Sequence, residues 1–144
     1  MPVKVQVSAV IDRSVADVFR VHAHEHVRNH PRWDPLMQLE QVSDGPFGVG
    51  TIIKRINHHS GAPIEGRMEV VEFEPNRAIG MIVRDGPTEM ITRAGYEAEG
   101  DSKTNVTLSL EIPSMDESMM DWLTSEMEKV AQTIKQFIET EVNG

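Results

Sequence analysis

The chain has 144 residues, 14 Lys and Arg against 23 Asp and Glu, and no Cys, so a single domain is expected, without disulfides, thiolate nucleophiles or zinc–cysteine sites. The formal net charge of −9 argues against nucleic acid and against an anionic membrane surface, since both require a basic face. The apolar stretches are only a few residues long, against the roughly 20 needed to cross a bilayer.

At the N-terminus Val3, Val5, Val7, Ala9 and Ile11 recur every second residue, with Lys4, Gln6 and Ser8 between them, which predicts a half-buried strand. The same alternation lacks the unbroken apolar block of a signal peptide, so the expected compartment is the cytoplasm. The period then changes. Ser14 with Asp17 resembles a capping box, and Val15, Val18, Phe19 and His22 share a helical face. A second short helix is expected over residues 25–29, ending there because Pro31 disfavours helix at His30.

From Leu36 to Ile112 the signals are strands and turns. Strands are expected over residues 51–59, 64–73, 77–84, 88–98 and 104–112, separated by Ser60-Gly61-Ala62-Pro63, Glu74-Pro75-Asn76, Asp85-Gly86-Pro87 and Gly100-Asp101-Ser102. The glycines at 45, 48 and 50 have G-x-x-G-x-G spacing and lead into a strand, so they read as a hairpin turn and not as a phosphate-binding loop. The tail returns to helical spacing. Met119, Trp122, Leu123, Met127, Val130, Ile134, Phe137 and Ile138 predict a helix over 115–141, with Ser114 and Glu117 as its capping box and an apolar stripe that must be buried against the sheet. One strand, two short helices, a run of strands joined by short turns and one long helix together indicate an α+β fold with an antiparallel sheet.

This order, with the segments Ser14-Val15-Ala16-Asp17-Val18-Phe19, Pro31-Arg32-Trp33-Asp34-Pro35, Gly45-Pro46-Phe47-Gly48-Val49-Gly50 and Met68-Glu69-Val70-Val71-Glu72, resembles the START/Bet v1-like superfamily, in particular its polyketide cyclase/dehydrase and lipid-transport family. Ser60-Gly61-Ala62-Pro63 is also similar to the gate loop of plant hormone receptors in that superfamily. The likeness runs over nearly the whole chain. It implies a helix-grip fold, in which a curved antiparallel sheet of six to seven strands wraps a long C-terminal helix, with two short helices after the first strand. It also implies a cavity between sheet and helix that takes an apolar or amphipathic small molecule. It fixes no reaction, because binders, carriers and cyclases share the fold.

The strand phases decide which side chains meet that cavity. On 51–59, periodicity alone slightly favours Ile52, Lys54, Ile56 and His58 inside, whereas the resemblance implies Ile53, Arg55 and Asn57. On 64–73, Met68 and Val70 compete with Val71 and Phe73, a conflict that hints at a bulge, and the resemblance implies Arg67, Glu69, Val71 and Phe73 inward. Arg55 and Glu69 would then either pair with one another across the sheet or orient a polar ligand group, since a buried charge needs a partner. Tyr96 offers a hydroxyl, and Trp33, Ile53, Met81, Met90, Met119 and Leu123 offer apolar walls, with Asn57 beside them. His22, His24, His26 and His30 read chiefly as polar surface on the short helices. His26 and His30, four apart, could share a metal, but no third ligand is evident. No metal or cofactor is expected. The expected partner is a hydrophobic small molecule bound by a monomer or homodimer, either simply held or, as a second reading, acted on as by a cyclase or dehydratase that uses cavity His, Tyr or Arg as acid–base groups.

Overall fold

In the computed structural model, which describes residues 3–143, the opening alternation becomes β1 (Val3–Ile11), with Val3, Val5 and Val7 buried and Lys4, Gln6 and Ser8 exposed. Ser14 caps α1 (Val15–Phe19): its Oγ accepts the Asp17 N–H at 3.3 Å, satisfying a donor that a helix start otherwise leaves without a partner. A π turn follows over Arg20–His24, where the Glu25 N–H bonds to the Arg20 carbonyl at 2.8 Å, and Val21, His22 and Ala23 are all buried in it. Such widened turns recur at functional sites.

The second helix, expected over 25–29, is instead α2 (His26–Trp33) and passes through Pro31. Proline removes one N–H from the helical ladder. The turn around it is held by the Asp34 N–H on the His30 carbonyl at 2.9 Å and by His30 stacking on Trp33, ring centroids 5.2 Å apart.

Six further strands, β2 (Met37–Gln41), β3 (Ile52–Asn57), β4 (Ile64–Glu74), β5 (Ala78–Asp85), β6 (Thr88–Glu99) and β7 (Lys103–Ile112), complete one antiparallel sheet of order β1-β7-β6-β5-β4-β3-β2. From β2 to β7 each strand pairs with the next in sequence, and β1 closes on β7, with Val3 opposite Ile112. Gly45 and Gly50 lie in the turn between β2 and β3 at φ 94° and 92°, a region that L side chains enter only with strain.

Register settles the phases. Ile53 lies opposite Met68 and Ile52 opposite Glu69. Residues directly opposite one another share a face, so with Ile53 and Arg55 buried, Met68 and Val70 point inward as well. Arg67, Glu69 and Val71 therefore lie on the other face, contrary to the inward set expected for β4. A bulge follows: Val70 pairs with Met81 and Glu72 with Gly80, leaving Val71 without a partner on β5 and returning Phe73 toward the core.

The C-terminal helix begins later than expected. Ser114 does not cap it. Asp116 Oδ1 accepts the Ser118 N–H at 2.8 Å at the start of a 3-10 turn (Glu117–Met119), and α3 (Met120–Glu141) follows. Its 22 residues span about 33 Å at the usual rise. The buried positions are Leu123, Ala131, Ile134 and Ile138, with Met127 packed beside them, a 4-4-3-4 stripe rotated from the expected one. Trp122 (52% exposed), Val130 (41%) and Met119 (40%) flank it. The far end of α3 is tied to the strand–helix corner. The Asp12 N–H bonds to Glu139 Oε2 at 2.8 Å, Lys135 Nζ to the Val10 carbonyl at 2.7 Å, and Arg32 bidentately to Glu141 at 2.9 and 2.8 Å. The sheet thus curves around α3 in the helix-grip arrangement. No helix among the described residues is long and apolar enough to cross a membrane.

Candidate functional site

Between the inner face of the sheet and α3 lies a chamber of about 160 Å3. It shares His30, Trp33, Arg55 and Met127 as walls with a broader vestibule of about 870 Å3, which is bordered by Trp122, Leu123 and Met90. Met81, Val83, Ala94 and Leu108 give the chamber an apolar lining. Pockets of this kind hold a ligand by apolar contact and orient it with a few placed polar groups.

The first polar group comes from the sheet. Arg55 on β3, Gly66 on β4 and Asp85 on β5 lie in one row across three strands. Arg55 Nε–H and Nη2–H donate to Asp85 Oδ1 and Oδ2, both at 2.9 Å, and Asn57 Nδ2–H adds a bond to Oδ2 at 3.0 Å. Gly66 allows the close approach: a Cβ there would stand 1.9 Å from the Arg84 carbonyl oxygen and 2.6 Å from Asp85 Oδ1. Both ions are buried, so each depends on the other to offset the cost of leaving water. Arg55 Nη1 has no partner among the described residues, yet no buried side-chain nitrogen or oxygen among them is left unpaired. Nη1 is therefore the edge of the guanidinium that meets the open space of the cavity.

The second polar group comes from the helices. His22, His26 and His30 recur every four residues and line the chamber. His26 Nδ1 lies 2.8 Å from the His22 carbonyl, which can only accept, so Nδ1 carries the proton. Burial pushes the His26 pKa down to about 4, opposed by the bond to the His22 backbone and reinforced by the nearby Arg55 charge, and His26 is neutral at pH 7. Its Nε2 is then an acceptor, and His30 Nδ1, 3.0 Å away, is the donor. Burial, with His26, Arg55, His22 and His59 nearby, also holds His30 well below its usual pKa. His30 Nε2 is left as a lone pair with no partner among the described residues, on the cavity wall. His22 is lowered to about 3 by burial and by His26, and its Nδ1 hydrogen-bonds the Tyr96 hydroxyl. Burial also raises Tyr96 well above its usual pKa.

The expected site residues divide accordingly. Trp33, Arg55, Met81, Met90 and Leu123 line the cavity. Ile53 is buried in the core behind it, and Asn57 supports Asp85. Tyr96 sits behind His22, between that ring and Phe19, with its hydroxyl already occupied. Glu69 lies on the opposite face of the sheet, so Asp85 and not Glu69 is the partner of Arg55. Met119 falls in the 3-10 turn, 40% exposed and outside the lining. Sequence reasoning missed Asp85, which reads as a turn residue before Gly86-Pro87, and placed the three histidines on the surface. Their four-residue spacing on the face that holds Val18 and Phe19 was the available signal. Among the described residues no group of three or more His, Asp or Glu is arranged to hold a metal; the facing nitrogens of His26 and His30 bond to one another.

The sequence profile of the family described as polyketide cyclase/dehydrase and lipid transport matches residues 2–139. No curated protein sequence matches the chain. Among solved structures, the chain is similar to a START superfamily protein from Mycobacterium smegmatis, with a TM-score of 0.75 at 14% identity over 96% of this chain and 99% of that one. It is also similar to Ara h 8.0201, with a TM-score of 0.76 at 10% identity over 97% and 99%. A third similar structure is the Zhui aromatase/cyclase from Streptomyces sp. R1128, with a TM-score of 0.73 at 12% identity over 100% and 98%. At these identities the structural likeness carries the fold.

Proposed function

Because the chain belongs to the polyketide cyclase/dehydrase and lipid-transport family, we propose that it binds a hydrophobic or amphipathic small molecule in the cavity between the sheet and α3. The observation that carries this reading is the chamber itself: about 160 Å3 walled by Met81, Val83, Ala94 and Leu108, with Arg55 Nη1 and His30 Nε2 among its polar atoms that have no partner among the described residues. The ligand's apolar body would lie in the chamber and extend into the vestibule past Trp122. Thermal melting with a hydrophobic dye or a medium-chain fatty alcohol tests it. A ligand at 100 times its Kd stabilises the folded state by about 2.7 kcal/mol, a rise in Tm of roughly 8–10 °C at this chain length. Ala94→Trp fills the chamber and is expected to abolish the rise while leaving a folded protein. No rise with any apolar probe would overturn the reading.

A second reading has its own observation in support. A neutral imidazole with a free lone pair, His30 Nε2, borders the same space as a guanidinium edge. A base beside a cation is what proton abstraction next to a carbonyl requires. On this reading the chain acts as a cyclase or dehydratase on a polyketide-like substrate, and turnover of such a substrate would fall at least about 100-fold in His30→Gln while the substrate still binds.

A further inference from the structure

We propose that the cavity selects an uncharged ring bearing a hydroxyl group and discriminates against a carboxylate; this rests on the ligand-binding reading and names the chemistry of the ligand. An arginine on a cavity wall ordinarily suggests an anion. Here its charge is already matched. Asp85 takes two of the Arg55 N–H groups, and both ions are buried. The other charged side chains that border the chamber and vestibule have partners as well. Arg93 Nε lies 2.8 Å from Glu72 Oε1, Lys129 Nζ lies 3.4 Å from Glu126 Oε2, and Asp34 Oδ2 lies within hydrogen-bond reach of His59 Nε2, at 2.7 Å. A carboxylate pressed against Arg55 would compete with Asp85 and leave one uncompensated negative charge in an apolar chamber, which is a heavy cost.

Among the polar atoms of the wall without a partner among the described residues are one donor on Arg55 and one acceptor on His30. Arg55 Nη1–H can only donate. His30 Nε2 can only accept, because the bond from His26 Nδ1 to the His22 carbonyl fixes the tautomers along the row. A hydroxyl does both at one oxygen: it accepts from Arg55 and donates its proton to His30. A carboxylate has no proton for His30, and a bare hydrocarbon serves neither group. The chamber's volume of about 160 Å3 is close to that of engineered apolar cavities, about 150 Å3, that take up benzene, so a single ring fits and its substituent would run into the vestibule.

Isothermal titration of the whole chain at pH 7.5 with 4-butylphenol, 4-butylbenzoate and butylbenzene separates the possibilities, because the three share an apolar body and differ only in the head. The phenol is expected to bind at least about tenfold more tightly than either of the others. Benzoate binding as tightly as the phenol, or the phenol no tighter than butylbenzene, would overturn this proposal and leave ligand binding standing. Failure of all three to bind a folded protein would overturn the ligand-binding reading and this proposal together. The double variant Arg55→Met with Asp85→Leu leaves no buried charge behind and keeps the His30 acceptor, and in it the preference for the phenol over butylbenzene is expected to fall at least about threefold. A phenol preference that is undiminished in the double variant would show that the pair does not read the head group, and would overturn the proposal.

Discussion

His22 and His26 fold without their protons, and this makes the stability of the chain depend on pH in a definite direction. In the unfolded chain each takes up a proton near pH 6.5; in the folded chain burial lowers this to about 3 and about 4. Between those limits the unfolded state binds more protons. Their contribution is complete above pH 6.5 and is lost as the pH falls, by about 3 kcal/mol per pH unit for the two together, until His26 protonates in place near pH 4. Melting curves between pH 7.5 and 5 are expected to show Tm falling from about pH 6.5 downward, with a shallower fall in His26→Gln; a flat Tm over that range would mean that both rings are solvated in the folded state. The Arg55–Asp85 pair gives a second prediction. Asp85→Ala leaves a buried guanidinium without its partner and is expected to cost about 3–5 kcal/mol in urea unfolding, most of which Arg55→Met restores when added to it. A double variant no more stable than Asp85→Ala alone would show that the two side chains are not coupled.

At the scale of the element, α3 shows how close the sequence comes. Its 3-and-4 apolar spacing identifies a helix packed on the sheet, but eight apolar positions are more than one face can bury, and spacing alone does not say which of them sit at its margin. Ile134 is 4% exposed and Val130 41%. Ile134→Asp is therefore expected to cost at least about 4 kcal/mol, while Val130→Asp costs under about 1 kcal/mol and shows its effect in ligand binding instead. Equal losses of Tm would overturn that assignment. The strands divide in a similar way. β1 and β7 were legible because the apolar residues of each, Val10 excepted, fall on one face. β3 was not, since Ile52 and Ile56 lie on one face and Ile53 on the other. The resemblance gave the right phase for Ile53 and Arg55 and the wrong one for Glu69, because the pairing of Ile53 with Met68 is a property of two strands together. For the same reason Asp85 was out of reach: it becomes the partner of Arg55 only when β5 lies two strands away across a glycine. The histidines were misread for a different reason. A polar residue on a short helix is ordinarily solvated, and what buries His22 and His26 and sets His30 on the cavity wall is a π turn and a proline-containing helix that propensities disfavour.

The molecule as a whole has a tied end and an open one. Arg13, Lys135, Glu139 and the Arg32–Glu141 pair fix the C-terminal half of α3 to the corner after β1 and to α2, while Trp122 and Leu123 near its start border the vestibule. A ligand is therefore expected to pass beside the first turns of α3. The pairing of β1 with β7 bears on how the chain is made. Val3 lies opposite Ile112 and Val7 opposite Leu108, so β1 leaves the ribosome long before the strand it needs. At roughly 5–20 residues per second that interval is on the order of 5–20 s. Throughout it the row Val3, Val5, Val7 has neither its sheet partner nor α3 to cover it, and no local pairing can substitute. Arrested nascent chains of increasing length are thus expected to remain protease-sensitive until β7 and α3 have emerged, then to become resistant in a single step. Stepwise protection that begins with the β3–β4 hairpin would instead mean that the sheet grows from its other edge, with β1 added last as a closing strand.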